Sequence, residues 1–117
     1  MSGPLDYSLC GQTVTVYRKQ GDQIFRQVVD GCYYTWQEKQ AEDETGIRLE
    51  TVCQLILPGD EVQIHIGDRI YDGIGPEIGI EDWGAFLPVC VPGLAEINYV
   101  TPCYWEGAVC HIEAGRK

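Results

Sequence analysis

Thr13-Val14-Thr15-Val16-Tyr17-Arg18, Gln20-Gly21-Asp22-Gln23 and Ile24-Phe25-Arg26-Gln27-Val28-Val29 follow one another near the start of the chain. The first six residues alternate, with Val14 and Val16 on one face and Thr13, Thr15 and Tyr17 on the other, which is the period-2 pattern of a strand. The Gly-Asp centre of the second stretch supplies turn chemistry, and the third stretch is again β-branched and aromatic. Together they predict a hairpin. Asp30-Gly31 then interrupts the second strand as a bulge or bend would, and Cys32-Tyr33-Tyr34-Thr35-Trp36 resumes it with aromatic side chains on both faces.

The rest of the chain extends this β reading. Ile47 to Leu57 predicts a third strand that crosses the core and ends at Pro58-Gly59. Glu61 to Ile66 and Arg69 to Tyr71 predict two short strands joined at Gly67-Asp68, and Leu94 to Val100 and Ala108 to Ile112 predict the last two. Residues 73–79 read as a loop anchored by Ile74 or Ile78. From Glu81 to Leu87 an acidic first turn, with Trp83, Phe86 and Leu87 near one face and Pro88 as a stop, predicts one short helix. The segment from Glu38 to Gly46 is polar throughout and has no apolar face, so it predicts a long mobile loop. A flexible N-terminus over about residues 1–9 and a polar tail over 113–117 complete a single domain spanning 1–117. No helical crossover separates successive strands, so the expected class is mostly β: a small β-barrel or a two-sheet sandwich.

Composition bounds the function. At 117 residues the chain is one domain, long enough to fold without an obligatory metal or disulfide. Eighteen acids against eight bases give a net charge of -10 and a pI near 4.4, which opposes any general grip on nucleic-acid phosphates. A hydrophobic share of 44% is that of a folded domain rather than an acidic tail. No apolar run is long enough to span a bilayer, and Met1-Ser2-Gly3-Pro4 lacks the start of a secretory signal, so a cytoplasmic location is expected. In that compartment Cys10, Cys32, Cys53, Cys90, Cys103 and Cys110 are expected to be reduced and mostly buried in packing roles.

Chemistry-bearing patterns are scarce. Cys103 and Cys110, with His111 adjacent, come nearest to a metal-ligand spacing, but Cys110 and His111 should point to opposite faces of a strand and so fail to share a zinc. The same divergence argues against a Cys-His nucleophile, as does the acidic stretch from residue 52 to residue 115, whose sole base is Arg69. Asp68 and Asp72 read as turn residues, His65 and His111 as strand or surface residues, and Gly73-Ile74-Gly75-Pro76 lacks the Lys and helix start of a phosphate loop. No catalytic, cofactor-binding or metal residue is predicted. The charge asymmetry is more informative: Arg18, Lys19 and Arg26 gather on the first hairpin while acids dominate the later part, so a basic hairpin interface against an acidic body is expected.

Several stretches carry a resemblance. These are Val14-Thr15-Val16-Tyr17-Arg18, Val29-Asp30-Gly31-Cys32-Tyr33-Tyr34, Leu57-Pro58-Gly59-Asp60, the run from Gly67-Asp68-Arg69-Ile70-Tyr71-Asp72 to Gly73-Ile74-Gly75-Pro76, and Tyr104-Trp105-Glu106-Gly107-Ala108-Val109-Cys110-His111-Ile112-Glu113-Ala114-Gly115. In order and spacing the chain resembles minor capsid or head-tail connector proteins of tailed phages and prophages of Gram-positive bacteria. The resemblance implies a head-completion, stopper-like β-barrel that forms a homo-oligomeric ring in the virion neck after assembly in the host bacterial cytoplasm. Its implied partners are other copies of itself, the portal or adaptor and the tail proteins, with no membrane contact. DNA would pass without specific binding. Under this reading the polar segment, with Glu38, Glu42, Asp43 and Glu44, would line or plug the channel. The alternative is a small cytoplasmic β-barrel binding module acting on a host or phage protein without catalysis.

Overall fold

The computed structural model describes residues 10–59, 62–88 and 90–117, and the backbone alone at Ala41, Asp43, residues 48–51 and Trp105; the expected N-terminal segment, about 1–9, lies outside the described residues. Seven strands are present: β1 Gln12–Gln20, β2 Gln23–Asp43, β3 Gly46–Pro58, β4 Arg69–Asp72, β5 Leu94–Glu96, β6 Tyr99–Trp105 and β7 Ala108–Arg116. They form one antiparallel sheet in the order β5-β4-β1-β2-β3-β7-β6, curled into a half-barrel. The expected mostly β, barrel-like architecture is therefore what the chain adopts.

The long strand β2 makes the curl possible. Its first half pairs with β1, from Gln20↔Gln23 to Gln12↔Cys32, and its second half pairs with β3, from Tyr33↔Ile56 to Asp43↔Gly46. The change of partner falls at the expected Asp30-Gly31 interruption, where the β1 register slips and Gly31 takes a φ of 72°. Only glycine adopts that conformation without a Cβ penalty. Just past the slip, the Gln12 side chain continues the ladder, donating from Nε2 to the Tyr34 carbonyl and accepting from the Tyr34 N–H, each at 2.9 Å.

The two faces of β1 bury different things. Val14 and Val16 join Val29, Cys32, Tyr34, Leu55, Leu57, Ile70, Ala95 and Ala114 in the concave core, all at most 7% exposed. Each fully buried Leu or Val there contributes about 1.5–3 kcal/mol. On the opposite face Tyr17 packs with Phe86 and Leu94 beneath the segment that links β4 to β5. So Val14 through Tyr17 are all buried, although the sequence alternates, because both sides of this strand are covered. Thr15 stays satisfied in that setting: its hydroxyl donates to the Gly73 carbonyl and accepts from the Gly75 N–H, each at 2.8 Å.

Four expectations are corrected. Residues 38–43 belong to β2 and are paired with β3, so the long polar loop is in fact the outer half of a hairpin closed by a turn at Glu44-Thr45. A ladder needs only backbone partners, and the absence of an apolar face does not preclude it. The tail over 113–117 is strand through Arg116, with Ala114 in the core. The stretch from Val62 to Ile66 forms no ladder, because β1 is already flanked by β2 and β4; the Gln63 carbonyl accepts from Arg18, the His65 N–H donates to the Asp68 carboxylate and the His65 carbonyl accepts from the Asp68 N–H. The expected helix is reduced to a 3-10 turn over Ile80–Asp82. Arg69 Nη1 occupies the Trp83 and Phe86 carbonyls at 2.7 Å each, and its guanidinium lies 3.7 Å from the Trp83 ring centroid, so this segment is stapled to β4 rather than extended as a helix.

Candidate functional site: a two-stranded arm and the basic cleft at its root

Beyond Trp36↔Cys53 the sheet narrows. Cys53 is the last β3 residue with a β7 partner, so among the described residues Gln37–Asp43 and Gly46–Val52 pair only with each other. At about 3.3 Å per residue this ribbon is about 20 Å long. Beyond the half-buried Val52, its described side chains are turned to solvent: Glu38, Lys39, Gln40, Glu42 and Glu44 are exposed, and Ile47 is 65% exposed. Asp43 lies at the end of β2, opposite Gly46. The predicted loop residues therefore run along a two-stranded arm, from Glu38 near its root to Glu44 in the turn at its tip.

A cleft of about 470 Å³ opens at the arm's root, with Trp36, Lys39, Val52, Cys53, Arg116 and Lys117 among its lining. It gathers Lys39, Arg116 and Lys117, three of the eight basic residues in a chain of net charge -10. Lys117 also sits over the Tyr99 ring at 4.8 Å. The cleft is thus basic, while Glu38 is exposed on the arm beside it and Glu42 and Glu44 are exposed toward the tip. Sequence reading missed the cleft because its cations come from residues 39, 116 and 117, which meet only through the β2–β3–β7 register.

The structure divides the three bases predicted to share a patch on the first hairpin, Arg18, Lys19 and Arg26. Arg18 pairs across from Phe25 and Arg26 across from Tyr17, so the two arginines point to opposite faces of the hairpin. Arg18 donates from Nε to Asp68 Oδ1 at 2.9 Å and from Nη2 to Oδ2 at 2.8 Å, and this fork raises its pKa further despite the opposing effect of burial. Arg26 donates from both Nε and Nη2 to the Gly75 carbonyl. Both heads fasten the protein's own loops, while Lys19 remains exposed. Asp68, expected as a turn residue, is also a buried ion-pair partner at 2% exposure, and Asp72 accepts from Trp36 Nε1 at 3.2 Å.

The thiols are less uniformly buried than expected: Cys32 and Cys53 are buried, Cys10, Cys103 and Cys110 are half-buried, and Cys90 is exposed. Burial pushes the Cys32 thiol up to about 11 and the Tyr34 phenol well above its usual range, so neither is a nucleophile at neutral pH. Cys103 is also raised, by burial first and then by Glu113 and Cys110. His65 is exposed, whereas Cys103, His111 and Glu113 come together on the β6–β7 hairpin with donor atoms within 4.8 Å of one another. No described helix is long and apolar enough to cross a membrane. No family model matches this chain, and neither the curated proteins nor the solved structures hold a match to it.

Proposed function

We propose that the protein is a non-catalytic structural subunit that forms a ring at the neck of a tailed phage, completing the DNA-filled head and joining it to the tail. The observation that carries this reading is the arm from Gln37 to Val52, which has no third strand among the described residues and an exposed Ile47. A two-stranded ribbon is marginal by itself in water, so an arm of this kind gains most of its order when a neighbour covers it. Its polarity supports a head-to-tail contact: acids toward the tip suit the basic cleft at the root of the next copy. Such heterologous contacts close into rings when the rotation between copies closes. Net negative charge also suits a channel through which DNA moves, since the wall repels phosphate rather than holding it.

The test is to replace residues 38–51 with Asn-Gly, which closes the hairpin on Gln37 and Val52 with a tight turn. The shortened protein should fold with a stability change below about 1 kcal/mol, because the described side chains of the excised part are exposed and long surface segments are thermodynamically tolerated. In phage particles it should leave heads that leak DNA and lack tails. Full yields of DNA-tight, tailed particles would overturn the reading, as would a stable monomer that binds one host protein through the arm.

A further inference from the structure

The β6–β7 hairpin carries a cluster that neither the core nor the arm uses. Cys103 stands directly across from His111, and Glu113 lies two residues further along β7. Cross-strand partners emerge on the same face and alternate residues share it, so all three project together, away from the core occupied by Ala114. One donor atom from each, Sγ, an imidazole nitrogen and a carboxylate oxygen, lies within 4.8 Å of the other two, and all three residues are half-buried.

We propose that Cys103, His111 and Glu113 form a binding site for a zinc-class divalent cation, with three protein ligands and a fourth corner left to solvent. A thiolate, an imidazole and a carboxylate make a mixed set suited to a borderline ion, whereas calcium and magnesium take oxygen donors. Metal bonds of about 2.0–2.3 Å place tetrahedral ligands about 3.3–3.8 Å apart, which small side-chain rotations reach from the observed spacing.

Two further features point the same way. The register of β6 and β7 slips between Cys103 and Tyr104: Tyr104 opposes Val109 and Trp105 opposes Ala108, so an unbroken ladder would set Cys103 against Cys110. The bulge sets it against His111 instead and brings Glu113 into reach. Bulges re-aim side chains in this way beside functional sites. The carboxylate is also held from behind, since Glu113 Oε1 accepts from Gln54 Nε2 at 3.2 Å and from the Tyr99 hydroxyl at 3.4 Å. Support of that kind orients a ligating carboxylate and leaves its other oxygen for the ion.

The test uses the reduced, metal-stripped full chain titrated with Co2+ and then Zn2+. One equivalent of Co2+ should bind with a thiolate-to-cobalt charge-transfer band that Zn2+ displaces. Cys103→Ser and His111→Ala should each abolish the band, Gln54→Ala should weaken affinity about 10–100-fold, and Cys90→Ser should change nothing. A measurement without substitutions guards against misfolded variants: the chain has only two histidines, and Zn2+ should shift the imidazole resonances of His111 and leave those of His65 in place. The assignment is overturned by absence of the band, by its survival in Cys103→Ser or His111→Ala, by its loss in Cys90→Ser, or by a shift at His65 alone.

Discussion

Removing Arg18 tests whether the first hairpin is an interface or part of the frame. Asp68 is 2% exposed and accepts three hydrogen bonds, two from the Arg18 guanidinium and one from the His65 N–H at 2.8 Å. The Arg18 side chain is 13% exposed and can reach water if its partner is lost. The two deletions are therefore unequal. Arg18→Met leaves a buried carboxylate with one backbone donor, which should cost about 3–4 kcal/mol, near the lower end for breaking a buried pair. Asp68→Ala leaves a guanidinium that can rehydrate, and should cost about 2–3 kcal/mol. The double substitution Arg18→Met with Asp68→Leu removes the orphaned charge and should cost less than the sum, by a coupling of about 2 kcal/mol. Urea unfolding followed by tryptophan fluorescence measures all three, and Arg18→Met should also lower Tm by about 10–15 °C. If Arg18→Met stays within about 1 kcal/mol of the parent protein, the buried-pair reasoning is wrong. Reversal to Arg18→Glu, which would set a second carboxylate against Asp68, should unfold the protein.

Cys32 is fully buried with its thiol raised to about 11 from an ordinary 9.0, so the folded state holds its proton longer than the unfolded chain does. Its contribution is intact below pH 9 and is lost as pH rises toward 11; between pH 8 and 10.5 the parent protein should lose about 2 kcal/mol more than Cys32→Ala does, and parallel stability curves would contradict this. In native protein a thiol reagent should label Cys90 first, and Cys32 and Cys53 should react only in denaturant. A Cβ at Gly115 would overlap the Cys53 carbonyl oxygen, a backbone atom fixed in the sheet, so Gly115→Ala should cost about 2–3 kcal/mol by urea unfolding. A Cβ at Gly79 meets only the exposed Glu81 carboxylate, which can swing away, so Gly79→Ala should stay within about 0.5 kcal/mol of the parent.

The parts of the fold legible in the sequence are those where burial writes a pattern. Val14 and Val16, the run Leu55-Ile56-Leu57, and the Asp30-Gly31 break all declare themselves, because core strands need apolar alternation and a change of partner needs a glycine. The arm is written in a weaker code. Its described side chains from Gln37 to Ile47 are exposed, so their polarity says only that they lie outside the core, and Glu38 to Asp43 reads like a loop although it is paired to the end. The stretch from Val62 to Ile66 errs in the opposite direction: its alternation is real and Ile64 is buried, yet a strand also needs a free edge, and the order of the sheet leaves none beside β1.

The cluster on β6 and β7 shows why chemistry was harder to read than fold. In sequence the adjacent pair that draws notice is Cys110 and His111, and the alternation of a strand correctly warns that adjacent residues diverge. What decides the site is a relation that sequence spacing does not contain, namely which residue of β6 faces which residue of β7. A slip of one position exchanges Cys110 for His111 opposite Cys103 and thereby exchanges a pair of thiols for a set of three different donors. The same logic governs the cleft, where Lys39 meets Arg116 and Lys117 only because Cys53 pairs with both Trp36 and Arg116. In an antiparallel sheet this acidic and this poor in motifs, function lies in the register. Substitutions that move the β6 bulge should therefore disturb metal binding more than stability, whereas substitutions at Arg18 or Asp68 should do the reverse.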